Sequence, residues 1–260
     1  MDFDSAVEFA AAIEIFNADR KELDKKITNE ALMQIIDNEE EDRFTSVVYK
    51  EDWHKGVIGI VASRLIEKHH RPTLVFTKSG DKLAASARSV KGFDVYNALL
   101  ACEEFIEQFG GHKYAAGLTL LPENYKKFKV KFEEVVRNSI PKELLTPEIL
   151  FDAEIELSGI TPKFFRIIQQ MEPFGPKNMK PTFKTSAVRD SGYGKQVGAD
   201  KSHLKLNIIA GADSKTYNAI GFNLGSKITE IQNAFDVVYT LDENEWNGVK
   251  SIQLLLKDLQ

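Results

Sequence analysis

Along the first forty residues, apolar side chains recur at steps of three, four and seven. Phe9, Ile13, Phe16, Leu23 and Ile27 fall on one stripe, the spacing of a single α-helical face. Ser5 followed by Glu8 has the form of a capping box. No glycine or proline occurs before Gly56, so the pattern predicts one unbroken helix over residues 5–37, closed by the acidic run NEEED (38–42). A helix of that length at the start of a chain has an apolar face with no preceding partner. It either packs back on this protein or connects to something upstream.

From Arg43 the pattern alternates. RFTSVVY (43–49) reads as a strand, VIGIVASRLIEKHH (57–70) as a helix, and PTLVFT (72–77) and KLAASARS (82–89) as strands joined by the turn KSGD. Asp94 caps an expected helix over DVYNALLACEEFIEQF (94–109), and Gly110 stops it as a C′ glycine. AAGLTLL (115–121) reads as a strand and NYKKFKVKFEEVVRNSI (124–140) as a closing helix with a lysine-rich solvent face. These elements predict a mixed α/β sheet domain over residues 43–142, bounded by the two prolines of SIPKELLTPE (139–148).

Beyond that boundary the texture becomes strand. ILFDAEIEL, PTFKTSAVRD, HLKLNII, TYNAIGF, FDVVYTLDE and VKSIQLLLKDL are separated by turn signals, with short helices expected at PKFFRIIQQM and SKITEIQN. Asn247-Gly248 between the last two strands is a type I′ hairpin signal. Residues 143–260 therefore predict a small OB-like β-barrel, an architecture that often binds oligonucleotides. The expected fold class is α+β: a long connector helix (1–42), an α/β sheet domain, then a barrel.

Composition narrows the chemistry. The 260 residues are 43% hydrophobic and 28% charged, with no apolar run long enough for a membrane span and no basic-then-apolar leader. The single Cys102 excludes an internal disulfide; its helix-like spacing predicts a packed core thiol, which suits a reducing cytoplasm. The net charge of −5 is unevenly spread. Residues 1–42 hold 13 acids against 4 bases, residues 43–150 hold 17 bases against 13 acids, and residues 151–260 balance at 13 each. The middle segment is mildly basic, which permits a phosphate ligand without requiring one.

Metal-assisted hydrolysis needs clustered carboxylates and histidines. His54, His69, His70, His112 and His203 have no acidic partner at ligand-like spacing, so no metal site is expected; His69 and His70, closing a helix beside Arg71, read as surface residues. Three stretches rise above this background. In WHKGVIGIVASR (53–64), His54 and Lys55 stand before Gly56 and Gly59 at a helix start. That pattern is either an anion site or a strand-to-helix turn with a capping imidazole. In SARS (86–89), Ser86 and Arg88 share a strand face suited to a phosphate, while Ser89 points away; a plain exposed edge strand has the same pattern. In FGGHKYAAG (109–117), helix termination accounts for the glycines, and His112 is either a satisfied buried imidazole or a ligand group.

Together these stretches are more specific than any one alone. WHKGVIGIVASRL, then SARS with GFDVYNAL, then FGGHKYAAG resemble the DHH-associated domain of the RecJ family, single-strand-specific exonucleases of bacteria. MEPFGPKNMKPTF (171–183), HLKL (203–206) and NEWNGVKSIQLLLKDL (244–259) resemble its OB-type domain, and FNADRKELDKKITNEAL (16–32) its connecting helix. The resemblance covers essentially the whole chain, in order.

It implies the C-terminal, substrate-binding half of a 5′→3′ single-stranded DNA exonuclease of repair and recombination. The metals, Mn2+ or Mg2+, would be held by a DHH catalytic domain absent from this chain, and Lys68-His69-His70 is not that domain's motif. By the same resemblance, Ser86 and Arg88, with Ser89, would receive a 5′ phosphate. Gly110, Gly111 and His112 would line the strand's path, His112 in a supporting catalytic role, and His54, Lys55 and Gly56 would face the strand. In the barrel, Tyr193, Lys195, Lys201, Lys205 and Phe222 are the expected strand contacts. Expected partners are single-stranded DNA, the catalytic domain, and a repair helicase or single-strand-binding protein, in the cytoplasm and without a membrane. This chain alone would bind weakly and lack nuclease activity. Two alternatives are a stand-alone nucleic-acid-binding or scaffold module, and part of a DHH-type phosphodiesterase of oligonucleotides or dinucleotides; the barrel argues against the latter.

Overall fold

A computed structural model describes residues 3–210 and 215–260. The chain divides into two compact units, Met1–Pro147 and Glu148–Gln260.

The first unit opens with α1 (Phe3–Asp37). The helix starts ahead of Ser5, so the expected capping box lies inside the first turns rather than at the cap. Its apolar stripe has two fates. Ile27, Ala31 and Ile35 are buried with Val57, Val61 and Leu65, whereas Phe9, Ile13 and Phe16 are exposed. Next come β1 (Ser46–Tyr49), α2 (Ile58–His69), β2 (Thr73–Ser79), β3 (Lys82–Arg88), α3 (Val95–Leu100), β4 (Gln108–His112), β5 (Ala115–Leu120) and α4 (Tyr125–Ser139). The sheet order is β1-β2-β3-β5-β4, with β1 and β2 parallel across α2 and the rest antiparallel. Alternation sends Leu74, Phe76, Ala85, Ala87, Leu118 and Leu120 to one face, beneath α3 and α4, where Cys102 is also buried. Val48 and Val75 point to the other face, beneath α1 and α2.

The expected helix over 94–109 is where the structure departs most. Asp94 caps it as anticipated, accepting from the Asn97 amide. The helix stops at Leu100, however, and Gln108–His112 is a strand paired with β5. Gly110 is therefore not a helix C′ residue. Leu99, Cys102 and Phe109 have helical spacing, but a turn followed by a strand seats them in the same core, and the ladder to β5 satisfies the backbone. His69 also differs from its surface expectation: its Nε2 is shut from solvent without a partner, and burial, then neighbouring Arg71, lowers its pKa. Arg71 itself is buried, donating to Ser46 Oγ and to the carbonyls of Glu40, Glu41 and Arg43.

The second unit holds β6 (Ala153–Glu154), α5 (Pro162–Gln169), β7 (Thr182–Asp190), β8 (Lys195–Val197), β9 (His203–Ala210), β10 (Tyr217–Gly221), β11 (Phe235–Trp246) and β12 (Val249–Leu259). β7 pairs with both β11 and β9, which closes the ring β7-β9-β10-β12-β11 into a five-stranded barrel. Only β10 and β12 run parallel in that ring. At Ala187, with φ +54°, β7 bulges, and beyond it Val188 pairs with β11 on one edge and β9 on the other. Of the expected strand 149–157 only Ala153–Glu154 pairs, because β9 takes the far end of that β7 edge and Leu157 turns into the core. The expected helix SKITEIQN is a 3-10 helix, Gly225–Gln232. Asn247 and Gly248 both have positive φ, 50° and 77°, as a type I′ turn requires.

A candidate nucleic-acid interface

In the first unit the register of β3, β5 and β4 builds an open shelf. Arg88 lies opposite Ala115, and Ala115 opposite His112. One step along, Ser86 lies opposite Gly117, and Gly117 opposite Gly110. Directly opposed residues of antiparallel strands share a face, so these six positions form two rows on the side away from α3 and α4. α2 covers this face only as far as β3. A Cβ on its Gly59 would sit 2.8 Å from Arg88 and 3.1 Å from Ser86 Oγ, so helix and strand meet there closely. Beyond that line Gly110, His112 and Gly117 are exposed.

The floor is thus backbone and methyl groups, with a guanidinium on one side and an imidazole on the other. Arg88 NH1 donates to Ser86 Oγ and to the Ala87 carbonyl, both at 2.9 Å. No carboxylate pairs with Arg88 among the described residues, so the rest of its planar fork is available for a bidentate anion contact. His112 Nδ1 accepts from the Tyr114 amide at 3.3 Å. Lys55 borders a shallow pocket of about 420 Å3 above the shelf, with Ala84, Gln108, Gly110, Gly117 and Thr119. His54 does cap the turn before α2: its Nδ1 accepts from the Gly56 amide at 3.1 Å. Ser89 is not on the shelf, since its hydroxyl donates to the Phe93 carbonyl and its amide to Tyr114.

The two adjacent glycines of FGGHKYAAG play different parts. Gly111 has φ +147°, and a Cβ there would lie 2.4 Å from the Ala115 carbonyl oxygen; the hairpin admits only glycine. A Cβ at Gly110 would meet nothing within 4 Å. Its smallness serves no packing purpose in this unit.

In the second unit an open groove of about 750 Å3 runs across β9, β10 and the β11–β12 ribbon. Lys205 and Phe222, two of the expected strand contacts, line it together with His203, Asn218, Trp246 and Gln253. Lys195 is the cross-strand partner of Lys205. Tyr193 and Lys201 sit on the same β7–β9 connection but outside the groove lining. Trp246, Phe222 and Tyr193 are 74%, 56% and 72% exposed. Sequence reasoning missed Trp246, although its place just before Asn247-Gly248 marks it as a hairpin-tip residue. It also missed His203, whose ring lies 5.1 Å from that of Phe222 in a T-shaped pair.

Some of the barrel's lysines are paired with carboxylates and others are not. Lys180, Lys184, Lys227 and Lys250 are each paired with a carboxylate. Lys195, Lys201 and Lys205 have no carboxylate partner among the described residues. Neither unit gathers three metal-ligating side chains among its described residues, so the residues present do not fit a divalent metal centre.

Comparison with known proteins places these surfaces in context. A model of the DHHA1 domain matches residues 41–138, and a model of the RecJ OB domain matches residues 151–258. The single-stranded-DNA-specific exonuclease RecJ of Bacillus subtilis is 33% identical over 97% of this chain, and that of Escherichia coli 28% identical over 96%. The chain spans only 32% and 44% of those relatives. Among solved structures, RecJ from Thermus thermophilus in complex with Mn2+ matches all of this chain over 37% of its own, with a TM-score of 0.82 at 24% identity, a likeness of fold. The chain thus carries a DHHA1 domain followed by a RecJ OB domain, and it is similar to RecJ proteins along nearly all of its length.

Proposed function

We propose that this chain is the substrate-binding, C-terminal portion of a 5′→3′ single-strand-specific DNA exonuclease acting in repair and recombination. One observation carries the reading: Arg88, Ser86 and His112 flank a floor of Gly110, Gly117 and Ala115 on an uncovered sheet face. A polynucleotide backbone needs such a floor to approach closely, with donors on either side for its phosphates. Arg88 and Ser86 grip the terminal 5′ phosphate and so set polarity. His112, in a supporting role, and Lys55 hold the following phosphates, and His54 faces the same strand. In the barrel groove, Phe222, Trp246 and Tyr193 stack bases while Lys195, Lys201 and Lys205 follow the backbone.

The hydrolytic metals of such an enzyme, Mn2+ or Mg2+, belong to residues outside this chain. The chain by itself binds single strands and does not cleave them; its working partners are the catalytic domain, a helicase and a single-strand-binding protein, in the cytoplasm. The test compares binding of labelled single strands with and without a 5′ phosphate. Arg88→Ala weakens the phosphorylated strand by about tenfold or more, the worth of a charge-assisted bidentate contact, and the unphosphorylated one much less. Equal losses for both strands remove the phosphate-pocket assignment, and turnover of either strand by the pure chain with manganese overturns the division of labour.

A further inference from the structure

Three of the five histidines share a geometry. In His54, His112 and His203 the ring Nδ1 accepts from a main-chain amide: Gly56 at 3.1 Å, Tyr114 at 3.3 Å and Asn223 at 3.2 Å. Ser202 Oγ, 3.0 Å from the His203 Nδ1, adds a second hydrogen bond at the same atom. A main-chain N–H cannot reverse its role, so the Nδ1 that accepts from it carries the lone pair. The ring proton of a neutral imidazole then sits on Nε2. His69 has no such bond: its Nε2 faces inward, unpartnered.

We infer that His203 is a neutral Nε2–H donor to the phosphodiester oxygens of a single strand lying in the barrel groove, and that His54 and His112 use the same device on the sheet. This rests on the single-strand reading above and goes further by assigning the chemical form of the contact. His203 occupies the groove beside Lys205, its ring near-perpendicular to that of Phe222. A strand stacked on Phe222 brings its backbone past the imidazole. The device supplies direction without charge. Lysines attract a strand from any side, whereas a ring fixed at Nδ1 by the backbone offers one donor along one line. Since a neutral donor displaces no counterion, it adds affinity without adding to the salt dependence of binding.

That difference is the test. Oligothymidylate binding to the full chain is measured between about 50 and 200 mM salt, for the unsubstituted protein, His203→Ala, His203→Gln and Lys205→Ala. His203→Ala weakens binding by about fivefold at every salt concentration, the scale of one neutral hydrogen bond, and leaves the slope of log affinity against log salt unchanged. His203→Gln, whose amide nitrogen reaches the Nε2 position, stays within about twofold. Lys205→Ala lowers the slope by about 0.7. A slope lowered by His203→Ala as by Lys205→Ala overturns the neutral-donor assignment, and so does an unchanged affinity. Ring 15N spectra of the unsubstituted chain check the lock without any variant: His54, His112 and His203 show Nε2 protonated and Nδ1 bare, and a protonated Nδ1 overturns it. Failure of the single-strand reading itself is seen separately, as no binding by the unsubstituted chain.

Discussion

Gly110 and Gly111 are neighbours in one strand and are glycine for opposite reasons. At Gly111 the backbone itself demands it: φ is +147°, and any Cβ would run into the Ala115 carbonyl and the Ala116 backbone at 2.4–2.5 Å. Gly111→Ala therefore costs about 2–4 kcal/mol, combining a disfavoured backbone region with a clash that only backbone movement relieves. A thermal melt of the chain checks this, and an unchanged melting temperature would sink the account of the hairpin. At Gly110 a methyl group meets nothing within 4 Å, so Gly110→Ala leaves the fold intact. If the shelf receives a polynucleotide, the same methyl weakens binding of a 5′-phosphorylated strand. The pair of substitutions thus separates the structural glycine from the functional one, and a binding assay alongside the melt reads both.

Elements record the same division between local pattern and tertiary context. The long N-terminal helix was legible in the steps from Phe9 to Ile27, but the steps do not say which half finds a partner. The structure supplies that: Ile35 has no exposed surface and packs in the cluster around Val61 and Leu65, while Phe16 is 71% exposed. Accordingly Ile35→Ala destabilises the first unit by about 2–4 kcal/mol through lost burial and a residual cavity, and Phe16→Ala changes it by less than about 0.5 kcal/mol. Equal effects in denaturant titrations would mean that the exposed half packs after all. The barrel was largely legible too, because each long strand announces itself by alternation and Asn247-Gly248 by its turn chemistry. What misled was the segment 101–112. Its apolar spacing fits a helix, and nothing local reveals that β5 offers a ladder to Gln108–His112. The candidate site was legible as residue types, in Arg88 and His112, but not as a place. Only strand register sets Arg88 and His112 on either side of Ala115, and register belongs to the three paired strands together, not to any one stretch.

At the scale of the whole molecule, net charge is a poor guide to where charge acts. The chain carries −5 overall, yet Arg88, Lys195, Lys201 and Lys205 stand without carboxylate partners among the described residues, and much of the acidity is spent on architecture. Glu133 is the main example. It reaches from α4 to the segment between α1 and β1, accepting from Thr45 Oγ1 at 2.6 Å, the Phe44 amide at 3.1 Å and Arg137 at 2.7 Å. Burial alone raises its pKa, but the hydrogen bonds from Thr45, Phe44 and Arg137 outweigh burial and hold it below the usual carboxylate value. A carboxyl whose pKa is lower folded than unfolded stabilises the folded state above its unfolded pKa, and that stabilisation is lost as pH falls through the folded pKa. The first unit should therefore lose this contribution from about pH 4 downward. Glu133→Gln keeps one acceptor oxygen and cannot titrate, so it is less stable at neutral pH and its melting temperature falls less steeply between about pH 5 and 3. The other carboxylates are common to both proteins, so the difference between the two curves reports on Glu133. Parallel curves would mean that its hydrogen bonds do not distinguish the charged from the neutral carboxyl.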